Sequence, residues 1–274
     1  MKAADFRYER PDTVAAALAL MADEGIESAA LAGGQSLMPM MNFRIAQPEL
    51  LVDLNGIADL AGVSVAGDHL TIGAMTRYAM LEQAPELTHA PLIAQALPHI
   101  AHSAIRNRGT IGGSLALADP AAEMPAVMLA LGAEITVQST TETRVIPIDD
   151  FFLGVYETTR RATELLTSVS VPIAQSGDQF GFYEIARRHG DYAMAGAAIA
   201  QRRGRFRVAF FSVADRALRA TGAEDVLSAD PKNIDAAVAR LSEIDFDSDL
   251  NASAETKQHY AGVVLRRALA GMTA

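Results

Sequence analysis

The sequence predicts an α+β chain of two unequal domains, and three observations carry that reading. Through the first part, strand-like runs alternate with helix-like ones across short glycine turns. After residue 179 three apolar strands follow one another and are succeeded only by helices, the order expected of a sheet with its helices segregated to one side. Between the two parts, Pro172 to Asp178 reads as a linker. The domains are therefore drawn at 1–175 and 179–274.

Taken in order, Asp12 to Met21 follows Pro11, combines polar N-terminal candidates with good helix formers, and has Gly25 as its stop, so the first helix is expected there. Ala29 to Ala32 is a short buried strand running into Gly33-Gly34, and Ser36 to Phe43 is a short methionine-rich helix. Leu51 to Leu54 is another buried strand. Gly62 to Gly73 alternates apolar and polar positions around Gly67-Asp68, a hairpin that closes the first α/β stretch. Arg77 to Ile105 is helical but broken by Pro85, Pro91 and Pro98. A second glycine loop follows Gly109. Pro120 to Leu131 is a helix with proline near its start, followed by strands at 134–138, 143–147 and 165–171. Beyond the linker, strands are expected at 179–187, 197–203 and 205–213, the last two turned by Gly204, and helices at 233–241 and 256–269. The chain has no internal repeat or low-complexity tract.

Composition narrows the function classes. The 274 residues are half hydrophobic, enough for a substantial core, and 23 Lys plus Arg stand against 33 Asp plus Glu, a net charge of −10 that argues against nucleic acid as a partner. There is no cysteine, which excludes a disulfide framework, a thiolate nucleophile and a cysteine-ligated iron–sulfur cluster in this chain. Redox work would need a borrowed cofactor. Charges throughout the first ten residues leave no apolar core for an export signal. Apolar runs such as Met124 to Leu131 fall short of the roughly 20 residues of a membrane span. A cytoplasmic protein is expected.

Two segments carry the chemistry: Ala32-Gly33-Gly34-Gln35-Ser36, led into by Leu31, and Thr110-Ile111-Gly112-Gly113-Ser114. Glycine lets bare backbone amides approach a ligand, and successive amides form an anion-binding concavity. The pair suggests one dinucleotide pyrophosphate held by two loops. Neither segment has the lysine of a phosphate-binding NTPase loop or the Gly-x-Gly-x-x-Gly spacing of a nucleotide-binding βαβ unit. No Gly-x-Ser-x-Gly elbow accompanies Ser103, Ser114 or His102, so a nucleophilic triad is set aside. His99 and His102 lack further ligands nearby and read as surface or cap residues, and Met38, Met40 and Met41 read as core filler. Arg202, Arg203, Arg205 and Arg207 suit a solvated hairpin edge or a partner surface. Arg106 and Arg108, just before the second loop, either orient it or meet a phosphate.

Four ordered motifs resemble the FAD-binding medium subunit of the molybdenum hydroxylases, the family of aerobic carbon monoxide dehydrogenase and xanthine dehydrogenase. They are Ala32 to Pro39, Arg106 to Ser114, Ala118 to Ala126 and Arg187 to Ala193, and the likeness spans nearly the whole chain. It implies a two-lobed FAD-binding domain of the vanillyl-alcohol-oxidase-like type, with lobes at about 1–56 and 57–175, and a small α+β flavoprotein C-terminal domain. The two glycine motifs would hold the FAD pyrophosphate, Asp119 or Glu123 would accept hydrogen bonds from cofactor hydroxyls, Leu165 and Leu166 would pack near the flavin ring, and Tyr192 would stand beside it. Two departures are visible: many relatives have histidine at Gln35, and some place lysine within Tyr183-Glu184-Ile185.

The function implied is electron relay. A molybdenum cofactor on a large subunit and [2Fe-2S] clusters on a small one would feed FAD here, in a dimer of heterotrimers, and FAD would pass electrons to an external acceptor. The missing cysteines agree with clusters carried elsewhere, and no side chain need act as catalytic acid or base. The alternatives are a self-contained FAD oxidoreductase, which would need a substrate pocket and base of its own, and a non-enzymatic module that has lost the flavin.

Overall fold

The computed structural model describes residues 2–273. The chain opens with β1 (Arg7–Glu9), α1 (Val14–Met21), β2 (Ser28–Leu31), α2 (Leu37–Asn42) and β3 (Leu50–Asp53). Thr13 caps α1 by accepting from the Ala16 amide, the partner that a first-turn N–H lacks within its own helix. β3 lies between β1 and β2, parallel to both. Such a sheet is buried along its centre, which is why β3 reads as the unbroken apolar run Leu50–Val52.

A second unit holds β4 (Val63–Ala66), β5 (His69–Gly73), α3 (Tyr78–Leu81), α4 (Pro91–Ala96), α5 (Ser103–Arg106), α6 (Ile111–Leu117), α7 (Glu123–Leu131), β6 (Glu134–Gln138), β7 (Thr143–Pro147), the small hairpin β8 (Phe152–Gly154) and β9 (Glu157–Thr158), and β10 (Leu165–Pro172). Its antiparallel sheet runs β4-β5-β10-β6-β7. The 62–73 hairpin is thus an edge of this second sheet and does not close the first, because β5 finds its partner in β10. β10 carries a bulge against β6 between Leu166 and Ser168, a device that bends a strand and re-aims its side chains.

The C-terminal sheet, β11 (Gln179–Ala186), β12 (Ala193–Arg202), β13 (Arg205–Phe211) and β14 (Leu218–Arg219), is antiparallel in that order. Arg203 and Gly204, with φ of +50° and +78°, turn β12 into β13 in the mirror-image geometry that matches strand twist. The helices α8 (Thr221–Ala229), α9 (Ile234–Ala239) and α10 (Ala254–Ala270) cover one face, enclosing Ala197, Ile199, Val208 and Phe210. The other face, with Phe180, Ala198, Ala200, Ala209 and Phe211, shares one continuous core with α7 and the second sheet. The alanines of β12 keep its surface low enough for helices to approach from both sides.

Four short elements were not foreseen: β1, the β8–β9 hairpin, β14 and α8. β1 is a strand of three residues whose partner β3 lies far along the chain, and β8, β9 and β14 are strands of two or three residues, too short to carry a periodicity. α8 begins with Thr221-Gly222 and has no side-chain cap to announce it. α7 starts at Glu123, after Asp119 has turned the chain by accepting from the Ala121 amide.

Candidate functional site

A cavity of about 620 Å³ lies where the two lobes meet the β11–β12 connection. The end of β2 delivers Ala32 to Ser36 into its wall, and the α5–α6 turn delivers Thr110, Gly112, Gly113 and Ser114 opposite them. The two segments touch. A Cβ at Gly33 would overlap the Arg108 carbonyl oxygen, and one at Gly113 would sit 2.8 Å from Thr110 Oγ1 and 3.4 Å from Ala32 Cβ. Glycine at these positions is what lets two backbones meet.

The segments differ in what they offer. Gly34 has φ +73°, the left-handed conformation that arrays successive N–H groups into an anion nest, and the amides of Gly34, Gln35 and Ser36 donate to no other group among the described residues. The second segment corrects the expectation of bare amides on a loop. It forms the first turn of α6, capped by Thr110, whose Oγ1 accepts from Gly113 N at 3.1 Å. Ile111 N donates to Thr76 O, Gly112 N to Ala74 O and Ser114 N to Thr110 O. A Cβ on Gly112 would lie 2.7 Å from the Ala74 carbonyl oxygen, so that glycine serves packing. Thr110 has no Gly-free alternative signal in sequence: a helix N-cap and a glycine loop both read as Thr followed by small residues.

The other expected residues divide. Asp119, Glu123, Leu165, Leu166 and Tyr192 line the cavity, whereas Leu31 and Ile111 do not: Leu31 packs with Met41 and Leu51, and Ile111 is fully buried in the main core. Gln35 turns its amide back to Gly33 O, 3.2 Å away. Asp119 Oδ2 accepts from the Tyr192 hydroxyl at 3.3 Å, although the Tyr192 ring remains 64% exposed at the cavity mouth. Burial of that hydroxyl end and the adjacent Asp119 carboxylate push the Tyr192 phenol up to about 12. Burial pushes the Glu123 carboxyl up to about 7; its own amide and His99 oppose the shift, and Glu184 and Asp119 reinforce it.

Sequence reasoning missed two residues. Arg160 is the one Lys, Arg or His side chain lining the cavity among the described residues. Its Nη1 is held by the carbonyls of Arg161 (2.9 Å) and Glu164 (2.8 Å), and its Nε is buried without a partner. Nearby, burial pushes the Glu164 carboxyl up, but the two-pronged Arg144 guanidinium, at 2.8 Å on each oxygen, and the Arg161 amide more than reverse it. Glu164 is therefore charged and fixes the segment bearing Arg160. Tyr78 is the second: it lines the cavity, its buried Oη has no hydrogen-bond partner, and burial raises its pKa. Neither residue sits in a recognisable spacing.

Other readings are settled by contacts. Arg106 pairs with Glu82 at 2.8 Å and donates to the Ile100 and Ala101 carbonyls, so it shapes the turn, while Arg108 is exposed. Arg202 and Arg207 are pins, not solvated edge residues: Arg202 reaches Pro172 O and Asp178, and Arg207 reaches Leu129 O and Asp149. Glu184 does not line the cavity; it is buried behind it, against His99. Among the described residues no group of three or more His, Cys, Asp or Glu side chains could hold a metal, and no helix is long and apolar enough to cross a membrane.

An anion nest, an orphaned guanidinium Nε, an orphaned phenol and two carboxylates around one cavity fit a ligand that carries phosphates, hydroxyls and an apolar ring. A family model described as the FAD binding domain in molybdopterin dehydrogenase matches residues 4–174, and one described as the CO dehydrogenase flavoprotein C-terminal domain matches residues 181–272. The chain is 37% identical to the nicotine 6-hydroxylase medium subunit of Paenarthrobacter nicotinovorans, over 98% of each chain. It is 36% identical to the carbon monoxide dehydrogenase medium chain of Hydrogenophaga pseudoflava, over 96% of each. Its fold superimposes on a carbon monoxide dehydrogenase chain from that organism with a TM-score of 0.95 at 36% identity, covering 98% of each chain. Against quinoline 2-oxidoreductase from Pseudomonas putida 86 the TM-score is 0.91 at 34% identity, covering 98% of this chain and 97% of that one.

Proposed function

We propose, for a chain that belongs to the FAD-binding medium subunits of the molybdenum hydroxylases, a relay role: it binds FAD, receives electrons from the iron–sulfur clusters of a small subunit, and lets them leave to an external acceptor. The observation that carries this reading is the nest of unpartnered amides at Gly34 to Ser36 facing the first turn of α6 across one cavity. Bound FAD supplies the redox chemistry, because it exchanges electrons one at a time with metal clusters and in pairs with organic acceptors.

The residues of this chain bind, orient and shield. Amides at Gly33 to Ser36 take the pyrophosphate, with Thr110, Gly112, Gly113 and Ser114 as the facing wall. Asp119 and Glu123 accept from ribityl or ribose hydroxyls. Arg160 offers its free Nε to a phosphate or to an electron-rich edge of the ring. Leu165, Leu166 and Tyr192 flank the flavin and limit water at its face. The molybdenum cofactor stays on the large subunit and the [2Fe-2S] clusters on the small one, and the assembly is a dimer of heterotrimers in the cytoplasm. The division at 1–175 and 179–274 assigns cofactor binding to the first part and the docked sheet to the second.

The test is reconstitution. The purified chain mixed with FAD and freed of excess retains flavin absorbance and quenched flavin fluorescence. A chain that returns colourless from that treatment, with or without its partner subunits, overturns the proposal.

A further inference from the structure

Outside the cavity wall, against the first glycine segment, lies a polar network to which the relay role gives no part. Parallel pairing of β2 with β3 sets Leu31 against Asp53, so the two strands end side by side. Asp53 is buried, and an acid about 20 residues beyond a glycine turn, at the end of a parallel strand, binds a ribose hydroxyl in dinucleotide folds. This one does not line the cavity, and both of its oxygens are taken. Oδ2 accepts from the Tyr8 hydroxyl and lies 3.9 Å from Arg10 Nε. Oδ1 accepts from the Asn55 backbone amide at 2.9 Å and from Asn55 Nδ2 at 2.6 Å. Burial alone would raise the Asp53 carboxyl; the Tyr8 hydroxyl, the two Asn55 donors and Arg10 together hold it below its usual value, so the clamp on Asn55 is a charged one.

Asn55 carries this network to both walls of the cavity without lining it. Its Nδ2 also donates to Ala32 O, 2.9 Å away. Its Oδ1 lies 3.5 Å from Arg77 Nη2, and the Arg77 backbone pairs with Thr110 at the head of the second segment. Two acceptors on the nitrogen side and one donor on the oxygen side fix which way round the side-chain amide sits. The Ala32–Gly33 peptide is trans, so its C=O and N–H point in opposite directions. Holding the Ala32 carbonyl outward on Asn55 therefore turns the Gly33 N–H inward, to the side on which the amides of Gly34, Gln35 and Ser36 are unpartnered.

On the FAD reading above, we propose that Asn55, clamped by Asp53, is a positioning residue for the pyrophosphate. It holds the Ala32–Gly33 peptide so that the amides of Gly33 to Ser36 converge on one anion, in register with the wall that begins at Thr110. The side chain itself never meets the cofactor. Its effect passes through one peptide plane, and donors set in place beforehand need no ordering when the ligand arrives.

The experiment uses the full chain loaded with FAD, its flavin absorbance recorded first, and reads fluorescence-quench titrations together with phosphorus NMR at saturating FAD. The pyrophosphate resonances of the wild-type complex are expected to stand apart from those of free FAD. Asn55→Ala should lower FAD affinity about 5–30-fold, the worth of one hydrogen bond and of the carbonyl it leaves unpartnered. At saturation its pyrophosphate resonances should move back toward those of free FAD. Asp53→Asn keeps the shape of the clamp without its charge and should give a smaller change in the same direction. Wild-type affinity and wild-type resonances in Asn55→Ala overturn the proposal. Weakened binding with wild-type resonances at saturation overturns it as well, because Asn55 is then a support of the fold and does not set the nest. Should Asn55→Ala fail to fold, Asp53→Asn carries the same two readings, and wild-type behaviour there is decisive against the clamp. Failure of the wild-type chain to bind FAD is a different result, because it removes the relay role itself.

Discussion

Replacing Gly34 by alanine tests the nest directly. An L-residue held in the left-handed region costs about 1–2 kcal/mol, and the new Cβ would also stand 3.2 Å from both Leu31 Cδ1 and Met38 Cγ. Those are flexible side-chain atoms that yield by a few tenths of an ångström, so the backbone strain dominates. The chain relieves it by rotating Gly34 out of φ +73°, which scatters the amides of Gly34, Gln35 and Ser36. At 1.4 kcal/mol per decade, FAD affinity should fall about 5–30-fold. Thermal unfolding of the FAD-free chain should drop by about 2–8 °C if strain is retained instead. Fluorescence-quench titration with FAD and differential scanning fluorimetry read the two outcomes separately. Gly113→Ala is the contrast: its conformation is helical, and the new Cβ meets Thr110 Oγ1 at 2.8 Å, so the loss is that of a cap, about 1 kcal/mol. Wild-type affinity together with wild-type unfolding temperature in Gly34→Ala would refute the reasoning.

Arg160→Gln should weaken FAD binding about tenfold to a hundredfold, the worth of a hydrogen bond to a charged group, and unchanged titration curves would remove Arg160 from the site. Arg207→Ala breaks contacts to Leu129 O and Asp149 and should lower the unfolding free energy by about 2 kcal/mol; an unmoved urea midpoint would show that these pins are idle. The Glu123 carboxyl, raised from 4.5 to about 7 in the folded chain, gives stability that is fully present below pH 4.5 and is lost as pH rises to about 7. That contribution is at most about 3 kcal/mol, and Glu123→Gln should flatten this part of the FAD-free stability–pH curve. An identical slope in wild type and variant would show that Glu123 titrates normally.

Much of the architecture was legible because it is written in local patterns. Thr13 caps α1, Gly204 turns a hairpin and the prolines break 85–98 through effects that act within a few residues. Gly33-Gly34 marked the end of β2 for the same reason. The second glycine segment misled because Thr110-Ile111-Gly112-Gly113 describes a capped helix start as well as a loop, and only the approach of Ala74 explains why its glycines are needed. Arg160 and Tyr78 were invisible because no local pattern marks them, and the His99–Glu184 pair because its members lie far apart in the chain. Isolated polar residues in sequence acquire meaning only when burial leaves an atom without a partner.

All nine residues of α7 are buried, from the cavity carboxyl of Glu123 to Leu129, whose carbonyl receives Arg207 of the C-terminal sheet. A helix with no solvent face belongs to neither neighbour alone. Removing the C-terminal part would leave one side of it wet and unsupported, and the acid at its first turn would lose its place beside the cavity. Cofactor loading and docking of the C-terminal sheet are thus one equilibrium. The chain should melt in a single transition, FAD should protect amides on β13 as well as those on α7, and exchanging residues 205–274 with a relative's would disturb the flavin site without touching a residue that lines it.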